Sequence, residues 1–199
     1  MFSEPEQDII ERSKQFVKDS FVAHPHFSFN DWSVMYNHSC TVASFAGMIG
    51  ANVVCDKLLV ILGALLHDIG KTYEADEETL HFEHESFNLI VAEPFLETLG
   101  LSPERLERLK RLVSYQDKEG VEMKVIKDAD AIALPADKRL SMLYIEWAVK
   151  EGLRNSIERK IRKFDKLHFE LSKEIGKPLF SRMKQDWDEY RRTINAKSL

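Results

Sequence analysis

The fold of this chain is read from residues 58–71, LLVILGALLHDIGK. An unbroken apolar run followed by His67, Asp68 and then a glycine is typical of a buried helix that ends near the pair. Adjacent helical positions differ by about 100°, so both side chains can reach one ion from a single element. Imidazole and carboxylate groups are ligands of divalent metals. The stretch therefore predicts two metal ligands at a helix end, with Gly70 as a C-terminal stop in the left-handed region.

His67 and Asp68 are both expected to face apolar surroundings. At helical spacing His67 lies over Gly63 and Ala64, and Asp68 lies over Ala64 and Leu65. Burial of a carboxylate without a partner is costly. A bound cation or a hydrogen-bonded network must therefore compensate the charge of Asp68.

Two further candidates for metal ligands lie on other predicted helices. Val34 and Val42 lie one turn on either side of His38, which predicts that this imidazole faces the core. The stretch VIKDADAIAL contains Asp128 and Asp130, which point to nearly opposite sides of a helix. Asp130 shares the apolar stripe and is the ligand candidate, whereas Asp128 is expected to cap or to support.

The order His38, His67-Asp68 and Asp130, with the strings LLHDIGKT and VIKDADAIAL, resembles the HD-domain metal-dependent phosphohydrolase superfamily. The resemblance spans about residues 37–134. It implies a compact all-helical domain in which these four side chains hold one divalent metal ion. It also implies activity on phosphate esters of nucleotides, nucleic acids or related metabolites, and Asp68 is expected to orient or deprotonate the attacking water.

A second metal ion is an open alternative, because some members of this superfamily bind one through two further histidines. His84 fits the first of these positions. At the second position the chain reads LVSYQDK, where only Asp117 could replace a histidine. A mononuclear site is therefore favoured, and His84 could instead contact the substrate phosphate.

Asp68, Lys71 and His84 are the catalytic candidates. Lys71 follows the predicted turn, where its ammonium could meet a phosphate as a point charge, although a solvated lysine at a helix end is an equal alternative. The metal could be Mn, Fe, Co, Ni, Zn or Mg, since ligation by two histidines and two aspartates accepts each of them.

Helical periodicity dominates the 199 residues, which predicts an all-α fold: a compact HD-domain helical bundle with additional C-terminal helices. One domain is expected, with a ligand-bearing core at about 31–135 and a helical extension at about 136–199. Apolar positions recur at helical spacing up to Ile175. The sequence Gly176-Lys177-Pro178 is expected to break that helix.

The charge and composition of the chain limit the classes of substrate and partner that it is expected to bind. The formal net charge of -5 gives no general attraction to nucleic acid or to anionic membranes. A small phosphorylated substrate, such as a nucleotide, is therefore expected rather than polymeric nucleic acid. The two cysteines suggest no disulfide framework. The first residues do not have the pattern of a secretory signal peptide, and the longest apolar run is too short to span a bilayer. A cytoplasmic protein is expected, and a homodimer is left open.

The leading hypothesis is a metal-dependent phosphohydrolase, either a phosphomonoesterase or a phosphodiesterase, in which a metal-activated water attacks phosphorus. One alternative is a catalytically silent HD-fold protein that binds a nucleotide or has a regulatory role. A second alternative, a dinuclear iron oxygenase, is disfavoured because a histidine is missing near Gln116.

Overall fold

The structure is a computed structural model that describes residues 2–24 and 31–197. In these ranges the regular elements are α-helices and short 3-10 helices, without a β-strand. The prediction of an all-α fold is confirmed. No helix in the described ranges combines the length and the apolar character that a membrane crossing requires. The cytoplasmic location and the homodimer stay predictions.

The chain forms two compact units, residues 1–126 and 127–199. The helices of the first unit are α1 (Glu4–Ala23), α2 (Trp32–Gly50), α3 (Lys57–Leu66), a 3-10 helix (Ile69–Thr72), α4 (Glu77–Leu96) and α5 (Pro103–Val113). Helix α6 (Val121–Ala136) starts in the first unit and ends in the second. The second unit continues with α7 (Lys138–Lys150), α8 (Arg154–Ile161), a 3-10 helix (Arg162–Lys166) and α9 (Glu170–Lys197). The expected organisation as one domain stays a prediction.

Helix α3 is the centre of the first unit. It contacts α1, α2 and α5, so apolar side chains all around it are buried. Its first turn is capped by Asp56, whose carboxylate accepts a hydrogen bond from the backbone amide of Leu59 at 3.3 Å. The helix ends at Leu66, directly before the histidine–aspartate pair. The predicted placement of the pair at a helix end is confirmed.

The predicted helix break at Gly176-Lys177-Pro178 is wrong, because Pro178 lies inside α9. The chain instead leaves the α-helical conformation between Ile161 and Glu170. An internal proline costs about 3 kcal/mol relative to alanine. Burial of three side chains on α9, each worth about 2 kcal/mol, outweighs that cost. These side chains are Phe180, Met183 and Trp187.

Candidate metal centre

Three potential metal ligands converge in the first unit. His38, His67 and Asp68 each offer one ligand atom, and these atoms all lie within 4.8 Å of one another. The Nε2 atoms of His67 and His38 are 3.4 Å and 3.9 Å from Oδ2 of Asp68. All three residues are buried, with exposed fractions of 8%, 2% and 5%. No other such group of three or more is found among the side chains that the structure describes.

The hydrogen bond of the His67 ring favours metal binding through its other nitrogen. Nδ1 lies 2.8 Å from the carbonyl oxygen of Ala64, one turn earlier in α3. In the neutral ring Nδ1 therefore carries the hydrogen and donates it, and Nε2 keeps its lone pair on the side of Asp68. Metal-binding histidines are commonly oriented by a hydrogen bond from the ring nitrogen that does not bind the metal to a carbonyl oxygen. The donor set of two imidazoles and one carboxylate thus fits a divalent metal.

Asn88, which the sequence analysis missed, fixes the backbone of the histidine–aspartate pair. Its side-chain amide donates to the carbonyl oxygen of His67 at 2.6 Å and accepts from the backbone amide of Gly70 at 2.7 Å. Asn88 is fully buried on α4. An asparagine within an apolar helical stretch is the signal that could have identified it, because a buried amide needs partners.

Gly70 has a different role from the predicted left-handed helix stop. It lies in the 3-10 helix Ile69–Thr72, and the described glycines with positive φ are Gly100 and Gly152. A Cβ atom on Gly70 would lie 2.0 Å from the carbonyl oxygen of His84 and 2.7 Å from the backbone nitrogen of Asn88. Glycine is therefore required because α4 approaches this backbone closely.

Lys71 and His84 both contact Asp68. The ammonium of Lys71 lies 2.5 Å from Oδ2, and Nε2 of His84 lies 3.0 Å from Oδ1. Their side chains are 15% and 18% exposed, against 7% for Asp68, so they lie between the buried carboxylate and solvent. The structure thus brings together the three residues selected as catalytic candidates from the sequence. Their catalytic roles stay predictions.

The electrostatic surroundings keep Asp68 ionised. Burial raises the pKa of Asp68, but its polar neighbours His67, Lys71 and His84 outweigh that effect and hold the pKa well below its usual range. Metal binding requires a deprotonated carboxylate. Asp68 meets this requirement at neutral pH.

Asp117, the candidate for a second metal ion, is exposed between α5 and α6. It does not belong to the group of converging ligands found among the described residues. Its carboxylate surrounds the position where Gly120 would carry a Cβ atom, with Oδ2 at 2.3 Å. The Asp117 side chain therefore folds back onto the turn that leads to Gly120.

Asp130 lies on α6 in the second unit, and its side chain is 24% exposed. Its Oδ2 accepts a hydrogen bond from the ammonium of Lys163 at 2.9 Å. The sequence pattern assigned the inward position to Asp130, but Asp128 is the more buried of the two acids, with 1% exposed. The role of Asp130 as a metal ligand stays a prediction.

The expectation that Asp128 caps or supports is confirmed. Its carboxylate accepts hydrogen bonds from the backbone amides of His168, at 2.9 Å, and Phe169, at 3.1 Å. Nδ1 of the His168 ring lies 2.7 Å from Oδ1. These bonds hold the chain directly before α9. His168 supplies both its backbone amide and its ring to this contact.

Two solved structures have a similar fold at low sequence identity. One is an HD-superfamily hydrolase from Bacillus thuringiensis, with a TM-score of 0.68 and 17% identity, covering 96% of this chain and 99% of that chain. The other is YpgQ from Bacillus subtilis in complex with ADP, with a TM-score of 0.68 and 20% identity, covering 97% of this chain and 96% of that chain. At these identities the likeness shows the fold alone.

Sequence comparison adds a relative and a family. Ribonuclease Y from Desulforudis audaxviator is 31% identical over 123 residues, which is 60% of this chain. The chain spans only 23% of the length of that protein. The sequence model of the HD domain family matches residues 35–134, which include His38, the His67-Asp68 pair and Asp130. The match covers half of the sequence, and the chain belongs to the HD domain family.

Proposed function

We propose that this chain is a metal-dependent phosphohydrolase that acts on a small phosphate ester, namely a nucleotide or a related metabolite. The observation that carries the proposal is the convergence of His38, His67 and Asp68, within 4.8 Å and buried. Lys71 and His84 add two nitrogen groups beside the same carboxylate. The fold shared with YpgQ, whose structure contains ADP, supports a nucleotide as the ligand class.

The proposed ligands are His38, His67 and Asp68, with Asp130 as the fourth because of its place in the sequence motif. A divalent ion held by such ligands lowers the pKa of a bound water and stabilises negative charge that develops on phosphate. Its identity among Mn, Fe, Co, Ni, Zn and Mg is a matter for measurement, since this donor set suits several of them.

The proposed role of Asp68 follows from its electrostatics. A carboxylate whose pKa lies well below its usual range is a weak base. Asp68 is therefore better suited to orienting the attacking water through a hydrogen bond than to removing its proton. It also counters the positive charge of Lys71, whose ammonium is 2.5 Å away.

Lys71 and His84 are proposed to bind the phosphate of the substrate. The lysine supplies a compact charge on a flexible stem. Both ring nitrogens of His84 face oxygen acceptors, with Nδ1 3.0 Å from the carbonyl of Leu80 and Nε2 3.0 Å from Oδ1 of Asp68. In the proposed complex, Nε2 of His84 exchanges Oδ1 of Asp68 for a phosphate oxygen of the substrate, while Nδ1 keeps its contact with Leu80.

The first test is a metal count combined with an assay for product. The protein is purified without chelator, its metals are measured by elemental analysis, and phosphate release is followed with each metal restored. The panel contains nucleoside mono-, di- and triphosphates, a cyclic nucleotide and a short RNA. We expect one metal ion per chain and metal-dependent release from a mononucleotide.

Each other outcome selects a different function. Cleavage of the RNA alone would replace the small substrate with a polymer. Two metal ions per chain would place His84 in a second site. Bound nucleotide without product across all metals would favour the catalytically silent alternative. Absence of metal under every condition would contradict the proposal.

A further inference from the structure

Asn88 connects two parts of the candidate metal centre that lie on different elements. Its side chain bonds the backbone on both sides of Asp68, namely the carbonyl oxygen of His67 at 2.6 Å and the amide of Gly70 at 2.7 Å. The helix of Asn88, α4, also carries His84 one turn earlier, and Nε2 of His84 lies 3.0 Å from Oδ1 of Asp68. One buried amide thus connects the helix of His84 to the backbone of Asp68.

Apolar packing gives little control over the position of α4 near His84. Among the α4 side chains that the structure describes, those that are buried are Leu80, Asn88, Ala92 and Leu96. Burial of apolar surface is non-directional, so it does not set the position of a helix along its axis. The two hydrogen bonds of Asn88 depend on distance and angle, and they therefore do set it.

The amide of Asn88 fits these two partners in only one orientation. Its oxygen faces an N–H group and its nitrogen faces a carbonyl oxygen. The flipped amide would place two acceptors together at His67 and two donors together at Gly70. Because Asn88 is fully buried, water does not relieve such a mismatch. An aspartate has the same shape, but its carboxylate lacks the donor that His67 requires.

Gly70 gives independent support for a fixed position of α4. The carbonyl oxygen of His84 and the backbone nitrogen of Asn88 both border the place where Gly70 would carry a Cβ atom, at 2.0 Å and 2.7 Å. The backbone of α4 therefore contacts the 3-10 helix at both residues. The chain beside Asp68 is held by this close approach as well as by the two hydrogen bonds.

We propose that Asn88 is a positioning residue that keeps His84 in place beside Asp68, so that the phosphate-binding group and the metal ligand act as one unit. The inference rests on the proposed function, in which His84 binds the substrate phosphate next to the metal ion that Asp68 holds. A bound phosphate must reach the ion and His84 at the same time. A misplacement of about 1 Å at such a site can cost about a hundredfold in rate.

The test uses the full chain and two binding measurements. Electron paramagnetic resonance measures free Mn²⁺ in a titration, and calorimetry measures the binding of inorganic phosphate to the Mn²⁺-saturated protein. Asn88→Asp keeps the shape of the side chain but removes the donor. Asn88→Ser, which is too short to reach both backbone groups, is the second variant in case the buried carboxylate prevents folding.

Leu96→Ala is the matched control, because it removes buried packing from the same helix two turns beyond Asn88. We expect both Asn88 variants to lose about tenfold in affinity for Mn²⁺ and about tenfold for phosphate. Leu96→Ala should unfold at a lower urea concentration, yet both of its affinities should stay within about threefold of the wild type. Equal losses of affinity in Leu96→Ala would reduce the effect to general stability and overturn the inference.

A double-mutant cycle tests whether Asn88 acts on phosphate through His84. Loss of a hydrogen bond to a charged group should weaken phosphate binding by about tenfold in His84→Ala. If Asn88 acts through His84, adding Asn88→Asp to this variant causes no further loss of phosphate affinity. Independent contributions would multiply to about a hundredfold, and that result would overturn the inference.

Asp68→Ala separates the inference from the proposed function. If this variant binds Mn²⁺ as the wild type does, or if the wild type binds none, the proposed metal site is wrong and the inference falls with it. If Asp68→Ala loses Mn²⁺ while both Asn88 variants bind Mn²⁺ and phosphate normally, the inference alone is overturned.

Discussion

Two buried carboxylates, one in each unit, have an imidazole beside them and yet differ in the groups that hold them. Asp68 lies among the side chains of His67, Lys71 and His84. Asp128 contacts the ring of His168 and also accepts hydrogen bonds from the backbone amides of His168 and Phe169. The side chains of both acids are nearly inaccessible, with 7% and 2% exposed.

The difference shows how identical residue types come to serve different purposes. Backbone amides cannot move away from Asp128 without unfolding the segment before α9, so this carboxylate has a fixed structural task. The side chains around Asp68 have rotamers of their own and can exchange positions with an ion or a substrate. Burial and a neighbouring histidine are therefore common to the structural carboxylate and the proposed metal ligand, and the two carboxylates differ in the kind of donor around them.

Replacement of Asp68 by alanine should have the largest effect on function. Removing the carboxylate removes a charged metal ligand, and metal catalysis is worth several kcal/mol, or about a thousandfold in rate. We expect loss of bound metal and of phosphate release, with the helical circular dichroism spectrum unchanged. Activity retained in a sample with verified metal content would show that Asp68 is not part of the site.

Replacement of Gly70 by alanine tests whether the backbone beside Asp68 depends on its close contact with α4. The new Cβ would meet backbone atoms, at 2.0 Å from the carbonyl oxygen of His84, which cannot rotate away. We expect the free energy of unfolding in urea to fall by about 3 kcal/mol.

Gly100→Ala is the matched control for this variant. Gly100 has a φ of 70°, but no heavy atom lies within 4 Å of the added Cβ. Only the left-handed conformation opposes this substitution, at about 1 kcal/mol. Equal losses in the two variants would mean that the contact with α4 is unimportant.

Replacement of Asp128 by asparagine should have the smallest of these effects, and on stability rather than on metal content. Asparagine has a similar shape but lacks the charge, so the hydrogen bonds to His168 and Phe169 weaken, with a loss of about 2 kcal/mol. Hydrogen exchange at these two amides should accelerate, while the number of metal ions per chain at saturation stays the same. A changed metal count would show that Asp128 is itself a ligand and would remove the contrast with Asp68.

The sequence predicted the features that depend on local pattern. The apolar run of α3, its end at the histidine–aspartate pair and the buried position of His38 all follow from helical spacing, and all are confirmed. Gly70 was selected correctly but for the wrong reason. A glycine in the sequence indicates that a larger residue does not fit at that position. Only the structure shows that the backbone of α4 is what excludes a side chain at Gly70.

The features that the sequence did not predict depend on distant contacts. Asn88 binds backbone groups that lie 18 and 21 residues away in the chain. Asp128 holds amides 40 and 41 residues away, in the segment before α9 where the chain leaves the α-helical conformation. Periodicity identifies the face on which a side chain lies but not the element that packs against that face.

The position of α3 has a further electrostatic consequence for the candidate metal centre. Peptide dipoles aligned along a helix place about half a negative elementary charge at its C-terminal end. The carbonyl of Ala64, in the last turn of α3, is aimed at the His67 ring, and the chain passes directly from this end to Asp68. The main chain therefore contributes a negative potential of its own at the site. A variant that lacks one ligand side chain keeps this main-chain contribution, because the contribution does not come from a side chain.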